Sequence, residues 1–332
     1  MATIRIMAMA IMEKKKSKLW KMAGLLALSL CLLGGCGKKQ ETAASDEALS
    51  EDDGSTVVWK GETYRYNDHL SNFLFLGIDT RETVGTETGQ ADAGQADALY
   101  LVSWDRVENK VNLISIPRDT MTPIEVYARD GESLGKTEQH ISLSYGYGDG
   151  SFESLTLAEN AVSSLFYGLP IQGACAMSLD GIPQLIKSFG NVEVVVPNDS
   201  LEERYPEFKS GETVTITPEN AEIFLRSRDT EKSQSAISRM ERQQAFLDAF
   251  GTAATADPSR VTKAYEDLTP YLVSSITNDW FVKLVEALST EESVERWTVP
   301  GEGVEGEIFD EYHVDDNALY EKIIETFYKK AE

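Results

Sequence analysis

Charged side chains punctuate three apolar runs in the first half of this chain. Asp79 and Arg81 follow Phe73–Ile78, Asp97 stands before Ala98–Val102, and Arg118 and Asp119 close a third run that ends Ile-Pro. Acid and base together at strand ends line a cleft more readily than a core. Carboxylates such as Asp79 and Asp97 suit a hard cation, Mg²⁺ or alternatively Mn²⁺, which takes one or two of them and leaves positions for phosphate oxygens and water. The guanidinium fork of arginine gives two parallel charge-assisted hydrogen bonds to an oxyanion. A metal ion beside an anionic ligand is the chemistry these residue types suggest.

Two later groups extend the set. Arg226 and Arg228 lie in Arg-Ser-Arg-Asp, and Arg239, Arg242 and Gln243 lie in Arg-Met-Glu-Arg-Gln-Gln. The last three are spaced i, i+3 and i+4, so a helix puts them on one face. With Arg81 and Arg118 this makes six arginines available to one cleft, enough for a pyrophosphate. Any single arginine has a simpler explanation, a surface pair with one of the 55 acidic residues. The placement of the whole set at element ends favours the cleft. Other candidates are weaker. Gly146–Gly150 reads as a turn, His69, His140 and His313 lack metal-ligand spacing, and no nucleophile-elbow pattern is present. His140 alone, in a loop before Ile-Ser-Leu-Ser-Tyr-Gly-Tyr-Gly, lies within reach of the cleft. Cys175, in Ala-Cys-Ala-Met, reads as a core residue.

The elements that must hold these residues alternate. Leu-, Val- and Ile-rich runs cut by Gly or charge predict buried strands at the three runs above, and again at Gly173–Ser178 and Val192–Val196. Helices are predicted at Ser154–Tyr167, Gly181–Phe189 and Ile237–Ala254, with another opened by Thr217-Pro218-Glu219. The tail from Val261 reads as helices with one short strand near Trp297–Val299. Asp315 caps the last helix and Lys329 and Lys330 suit its C-terminal dipole. Interleaving of this kind predicts an α/β sandwich around a mixed sheet, in a single domain. The segment Arg81–Asp97 is a loop of the length usually reserved for function.

The first 35 residues read as a leader. Lys14, Lys15, Lys16, Lys18 and Lys21 precede the uncharged run Met22–Gly37, which is short for a membrane span. It ends Leu-Gly-Gly-Cys, similar to the lipobox of bacterial lipoproteins, which implies cleavage before Cys36 and lipid on its thiol. Residues 36–56 then read as the lipidated cysteine and an acidic, flexible linker. Residues 1–35 carry six Lys/Arg and one Glu, so their loss takes the net charge from −24 to −29. A surface of that sign excludes nucleic acid as a partner. With Cys36 acylated, Cys175 has no disulfide partner.

In order, Gly-Ile-Asp-Thr-Arg, Gln-Ala-Asp, Ser-Ile-Pro-Arg-Asp, the His140 loop, Arg-Ser-Arg-Asp and Arg-Met-Glu-Arg-Gln-Gln resemble the LytR-CpsA-Psr family from about Tyr64 to Phe250. The resemblance implies a three-layer α/β/α sandwich with a hydrophobic tunnel for a polyprenyl chain, and a catalytic domain at 57–332 with a helical C-terminal extension from about 255. It implies a Mg²⁺-dependent phosphotransferase that moves a glycopolymer from polyprenyl pyrophosphate to peptidoglycan, at the outer face of the cytoplasmic membrane. By motif, Asp79 and Asp97 would hold the metal, with Arg81 beside them. Arg118, Arg226, Arg228, Arg239 and Gln243 would hold the pyrophosphate, and Asp119 would orient arginines. His140 stands where many members have Lys. Gln95 replaces a frequent Arg, and Ser235-Ala236-Ile237-Ser238 replaces a Gly-Asp-x-Gly pattern. Two other functions use the same residues: a lipoprotein that binds polyprenyl phosphate or wall glycan without turnover, and a hydrolase that gives the pyrophosphate to water.

Overall fold

The computed structural model describes residues 55–331, apart from 84, 230, 258 and 289–293. The expectations for the leader, Cys36 and most of the linker therefore fall outside the described residues. In chain order the elements are β1 (Thr56–Trp59), β2 (Glu62–Tyr66), β3 (Leu70–Ile78), β4 (Ala96–Asp105), β5 (Lys110–Ile116), β6 (Met121–Tyr127), β7 (Ser133–His140), α1 (Leu143–Gly146), α2 (Phe152–Leu165), β8 (Gly173–Met177) and α3 (Gly181–Phe189). They continue with β9 (Val192–Val195), β10 (Thr213–Ile216), α4 (Ala221–Arg226), α5 (Ser235–Ala256), α6 (Arg260–Leu268), β11 (Leu272–Ser274), α7 (Asn278–Leu288), β12 (Val294–Thr298), β13 (Gly301–Glu305), β14 (Asp310–Val314), α8 (Asp316–Phe327) and β15 (Tyr328–Lys330).

Six strands form the central sheet in the order β11-β8-β3-β4-β5-β12. It is mixed: β3 runs parallel to β8 and antiparallel to β4, and β5 pairs antiparallel with β4 and parallel with β12. Side chains alternate between its faces, as the pleat requires. Leu74 and Leu76 of β3, Leu99 and Leu101 of β4 and Ile114 of β5 pack with Leu155, Ala158 and Val162 of α2 and Leu319 and Ile323 of α8. Phe73, Val102 and Val111 turn the other way, toward Leu284 and Ala287 of α7. Burial on both faces is why these strands read as near-continuous apolar runs. The result is the expected three-layer α/β/α sandwich.

Two devices bring charge to the sheet's edge. A register shift at Gly77/Ile78 pairs Ile78 with Ala96, so Asp79 and Asp97 emerge together at the ends of β3 and β4. Bulges commonly re-aim side chains in this way. Helix α5 is fastened across the strands by Gln244, whose Nε2 donates to Ser115 Oγ (2.8 Å) and Thr298 Oγ1 (3.1 Å).

Several elements differ from the sequence expectation. His140 ends strand β7, in a two-stranded ribbon with β6, rather than lying in a loop. The short helix after Thr217 begins only at Ala221; Thr217 to Asn220 forms a turn before it, in which Asn220 Oδ1 accepts from Thr217 N (2.8 Å). The tail is not mainly helical, since β13 and β14 form a hairpin and β15 returns to pair with β2. Asp315 does cap α8, accepting from the amides of Asn317 and Ala318. Lys329 and Lys330 do not complete that helix, because the backbone turns extended at Tyr328. They pair instead with Glu108 (2.7 Å) and Glu62 (3.1 Å).

Lys329 also lies 3.4 Å from Asp105, a carboxylate only 5% exposed. Burial alone would raise its pKa. The amides of Glu108 and Val107, the Asn67 side chain and Lys329 outweigh that and bring it down from 3.8 to about 2. A depressed carboxylate stabilises the fold fully above its unfolded pKa and loses that contribution as pH falls through the folded value. Asp105→Asn should therefore cost about 2 kcal/mol in urea unfolding at pH 7. The gap should narrow as pH drops from about 4 to about 2.

Candidate active site

Asp97 is the hub of the charged cluster. Its carboxylate receives Nη1 of Arg118 on one side and Nη1 of Arg239, at 3.0 Å, on the other. All three are nearly buried, with side-chain exposures of 10% for Asp97, 13% for Arg118 and 4% for Arg239. Arg118 reaches it from the turn after β5, where Thr120 N and Oγ1 both donate to Pro117 O. Its remaining donors go to Asp119 Oδ1 (3.1 Å), Gln95 Oε1 and Ser142 Oγ (3.4 Å). Gln95 thus braces Arg118.

Arg239 rises from the second turn of α5. Burial depresses its pKa, Asp97 opposes that shift, and the neighbouring charges of Arg118 and Arg228 add to it. The charge of Arg228 is thus felt at Arg239. Among the described residues Arg228 makes no hydrogen bond or ion pair. Two carboxylates, Asp97 and Asp119, thus face three guanidinium groups, Arg118, Arg228 and Arg239, an excess of positive charge in a nearly dry place. A guanidinium does not release its proton near neutral pH, so the cluster stays cationic.

A second group sits alongside. Glu222 accepts both Nη atoms of Arg81 (2.9 and 2.8 Å) and Nη1 of Arg226 (3.4 Å). The Arg81 hydrogen bonds pull the Glu222 pKa down. Arg81 also meets Asp180 (3.2 Å) and is 62% exposed, so it faces outward. Glu222 was not singled out from sequence, although its place four residues before Arg226 on one helix was a readable signal.

Arg242 does not belong to the cleft. It is fully buried and donates to the carbonyls of Phe224 and Ser227, over the Phe224 ring. Burial and the charge of Arg239 push its pKa down to about 10. The i, i+3 spacing correctly put it on the face of Arg239, yet it ties α5 to the end of α4. His140 likewise makes no polar contact with the arginines; its ring lies against Phe309, centroids 6.4 Å apart.

Between the sheet and helices α3, α5, α6 and α7 runs a cavity of about 690 Å³. Phe75, Val102, Leu113, Phe246, Leu247 and Leu284 line its length, while Asp97, Arg226 and Gln243 stand among its few polar lining groups. Gln243 now donates to Leu225 O (3.1 Å). Among the described residues, Nε of Arg226 at the cavity wall, Nε of Arg239 and the hydroxyl of Tyr100 have no hydrogen-bond partner. Buried donors without partners are uncommon in folded proteins. Tyr100, which also lines the cavity, gave no sequence signal, being one aromatic in a buried strand.

Asp79 follows Ile78, which lines the cavity. Gln95 N donates to its Oδ1 (2.7 Å), and Gly94, at φ +88°, approaches so closely that a Cβ there would lie 2.9 Å from that oxygen. Among the described residues no three or more His, Cys, Asp or Glu gather as a metal cage. Asp79 keeps one carboxylate oxygen without a hydrogen-bond partner among the described residues, while both oxygens of Asp97 are held by arginines; Mg²⁺ can take a single carboxylate and draw its other ligands from phosphate and water.

These features define an α/β/α protein that opens an apolar cavity beside buried arginines, a shape and charge suited to an amphiphile with an anionic head. The chain belongs to the LytR_cpsA_psr family, whose model matches residues 35–326. It is 28% identical over 193 residues to the polyisoprenyl-teichoic acid–peptidoglycan teichoic acid transferase TagU of Halalkalibacterium halodurans, covering 58% of this chain and 56% of the relative. It is 29% identical over 238 residues to the corresponding transferase TagV of Bacillus subtilis, covering 68% and 55%. The chain thus spans little more than half the length of these two relatives. The crystal structure of B. subtilis TagV has the same fold, with a TM-score of 0.58 at 22% identity over 77% of this chain and 95% of that one.

The contrast between the arginines is testable. Arg242→Ala strips two carbonyls of their donors inside the core and should cost about 3 kcal/mol in urea unfolding. Arg81→Ala, on the surface, should leave the unfolding midpoint nearly unchanged.

Proposed function

We propose that this domain is a phosphotransferase that moves a glycopolymer from a polyprenyl-pyrophosphate carrier to peptidoglycan. One observation carries the reading: the apolar cavity is walled in part by Arg226 and by Asp97, the carboxylate that holds the buried Arg118 and Arg239. An isoprenoid chain matches the cavity and a pyrophosphate matches the guanidinium forks. The teichoic acid transferase activity of the TagU and TagV relatives agrees with both.

In this reading the pyrophosphate lies against Arg118, Arg228 and Arg239, with Arg226 and Gln243 at the cavity wall. An acceptor sugar hydroxyl attacks the proximal phosphorus. A new O–P bond forms, the bridging P–O bond breaks, and polyprenyl phosphate leaves with the bonding pair. Fixed guanidinium charges in a nearly water-free site offset the negative charge that builds on the phosphoryl oxygens, which is usually the largest catalytic contribution. The hydroxyl proton passes to a carboxylate near the metal. Mg²⁺ or Mn²⁺, held by Asp79 and Asp97, would neutralise and align the pyrophosphate. Transfer is direct, with no phosphorylated enzyme. Lipid on Cys36 holds the domain at the outer face of the cytoplasmic membrane, beside both substrates.

Full-length protein in detergent, given a defined polyprenyl-pyrophosphoryl saccharide, Mg²⁺ and uncrosslinked peptidoglycan oligomers, should yield a saccharide–peptidoglycan phosphodiester visible by mass spectrometry. Arg118→Ala and Asp97→Ala should lower its rate by a factor of about 100 or more. Chelation should abolish turnover, and Mg²⁺ or Mn²⁺ should restore it. Donor consumed without a linked product would instead indicate hydrolysis, and donor bound but intact a binding protein. Leu247→Trp, which fills the cavity, should weaken binding of polyprenyl phosphate roughly tenfold while sparing inorganic pyrophosphate.

A further inference from the structure

The hairpin β13–β14 presents Ile308 and Phe309 to solvent, 81% and 71% exposed. Neither packs into a core cluster, yet the hairpin that holds them is firmly fixed. Tyr312 N donates to Asp119 O (2.8 Å), and Tyr312 forms a parallel bridge with Thr120. Asp310 accepts from Ser233 Oγ (3.0 Å) and Gln234 N (2.5 Å). Gly303 lies so near the Gln234 side chain that a Cβ would fall 1.8 Å from its Oε1. These are the two segments that carry Arg118 and Asp119 and that launch α5 toward Arg239. The tip therefore extends from a hairpin tied to both of those segments. There Phe309 meets the His140 ring edge to face, centroids 6.4 Å apart and planes at 70°.

The charge around the tip limits what can settle on it. Residues 301–314 contain Glu302, Glu305, Glu307, Asp310 and Glu311, one histidine, and no Lys or Arg. An anionic bilayer or an anionic polymer is repelled by such a surface. A neutral sugar is not: its apolar ring face covers an aromatic side chain, and its hydroxyl and amide donors find carboxylates at the rim. We propose that Ile308 and Phe309, backed by His140, form the platform on which the acceptor glycan lays its neutral amino-sugar rings, presenting a hydroxyl to the arginine cluster. This assignment rests on the transfer reading above and adds to it a place for the acceptor.

Two measurements test it separately from that reading. In the transfer assay with the full chain, Phe309→Ala should raise the acceptor KM roughly tenfold with kcat changed by less than about twofold, and Phe309→Trp should bring KM back. In a binding titration without donor, N-acetylglucosamine tetramer should bind Phe309→Ala roughly tenfold more weakly than the unaltered chain. An unchanged acceptor KM in an otherwise active Phe309→Ala enzyme overturns the platform and leaves the transferase standing. A chain that makes no linked product but shows the tetramer effect supports the platform and sinks the transferase. Loss of binding to phosphatidylglycerol vesicles in Ile308→Ser and Phe309→Ala, with no effect on the tetramer, would make the tip a membrane contact and overturn the proposal.

Discussion

Everything at the candidate site depends on Asp97 holding two guanidinium groups out of water. A lone arginine buried to 4% side-chain exposure, as Arg239 is, carries a large desolvation penalty that only a close counter-charge offsets. Asp97 supplies that counter-charge to Arg239 and Arg118 at once, which fixes the distance between the end of β4, the turn after β5 and the second turn of α5. The bulge at Gly77 and the clamp of Gln244 are what allow three distant segments to meet with that geometry. With one carboxylate shared between two arginines and Arg228 close by, positive charge remains unbalanced. An anion entering the cluster relieves that imbalance, so binding and stability draw on the same electrostatics.

The central sheet performs two tasks on its two faces. Toward α2 and α8 it is closed by tightly interleaved aliphatic side chains, which gives the strands a rigid backing. Toward α3, α5, α6 and α7 it leaves room, and the space is lined by ring and aliphatic side chains rather than filled. Rigidity on one side makes the open volume on the other tolerable, because the strands cannot sag into it. Cys175 faces this second side, 5% exposed, where burial pushes its thiol up to about 12. It is chemically quiet, in keeping with its reading as a core residue.

The buried strands were legible because burial on both faces leaves an uninterrupted apolar record. The ribbon β6–β7 and the hairpin β13–β14 were not. Ser133–His140 and Gly301–Glu305 are largely exposed and polar, so their pairing is set by backbone hydrogen bonds that leave no hydrophobic period. Charged residues at strand ends marked where the site would be, and motif resemblance grouped them. Spacing did not reveal partners. Arg239 and Arg242 are equivalent by helical phase, yet one meets a carboxylate and the other two backbone carbonyls, a difference decided by what α4 and β4 bring to α5. Tyr100 and the platform at Phe309 depend entirely on tertiary placement.

The small sheet at the start of the domain has a mechanical consequence. β1 and β2 pair antiparallel, with Thr56 opposite Arg65 and Trp59 opposite Glu62, and Tyr66 N donates to Ser55 O at 2.8 Å. Tension on the chain before residue 55 thus pulls at the open end of this hairpin and loads its hydrogen bonds one after another, as a zipper is drawn, instead of all together in shear. β2 is held on its other edge by β15, from Tyr328 opposite Tyr66 to Lys330 opposite Tyr64. A tug would therefore spend itself in peeling four residues of β1, while β2, β15 and the sheet that bears Asp97 stay in register: the fold carries its own sacrificial strand.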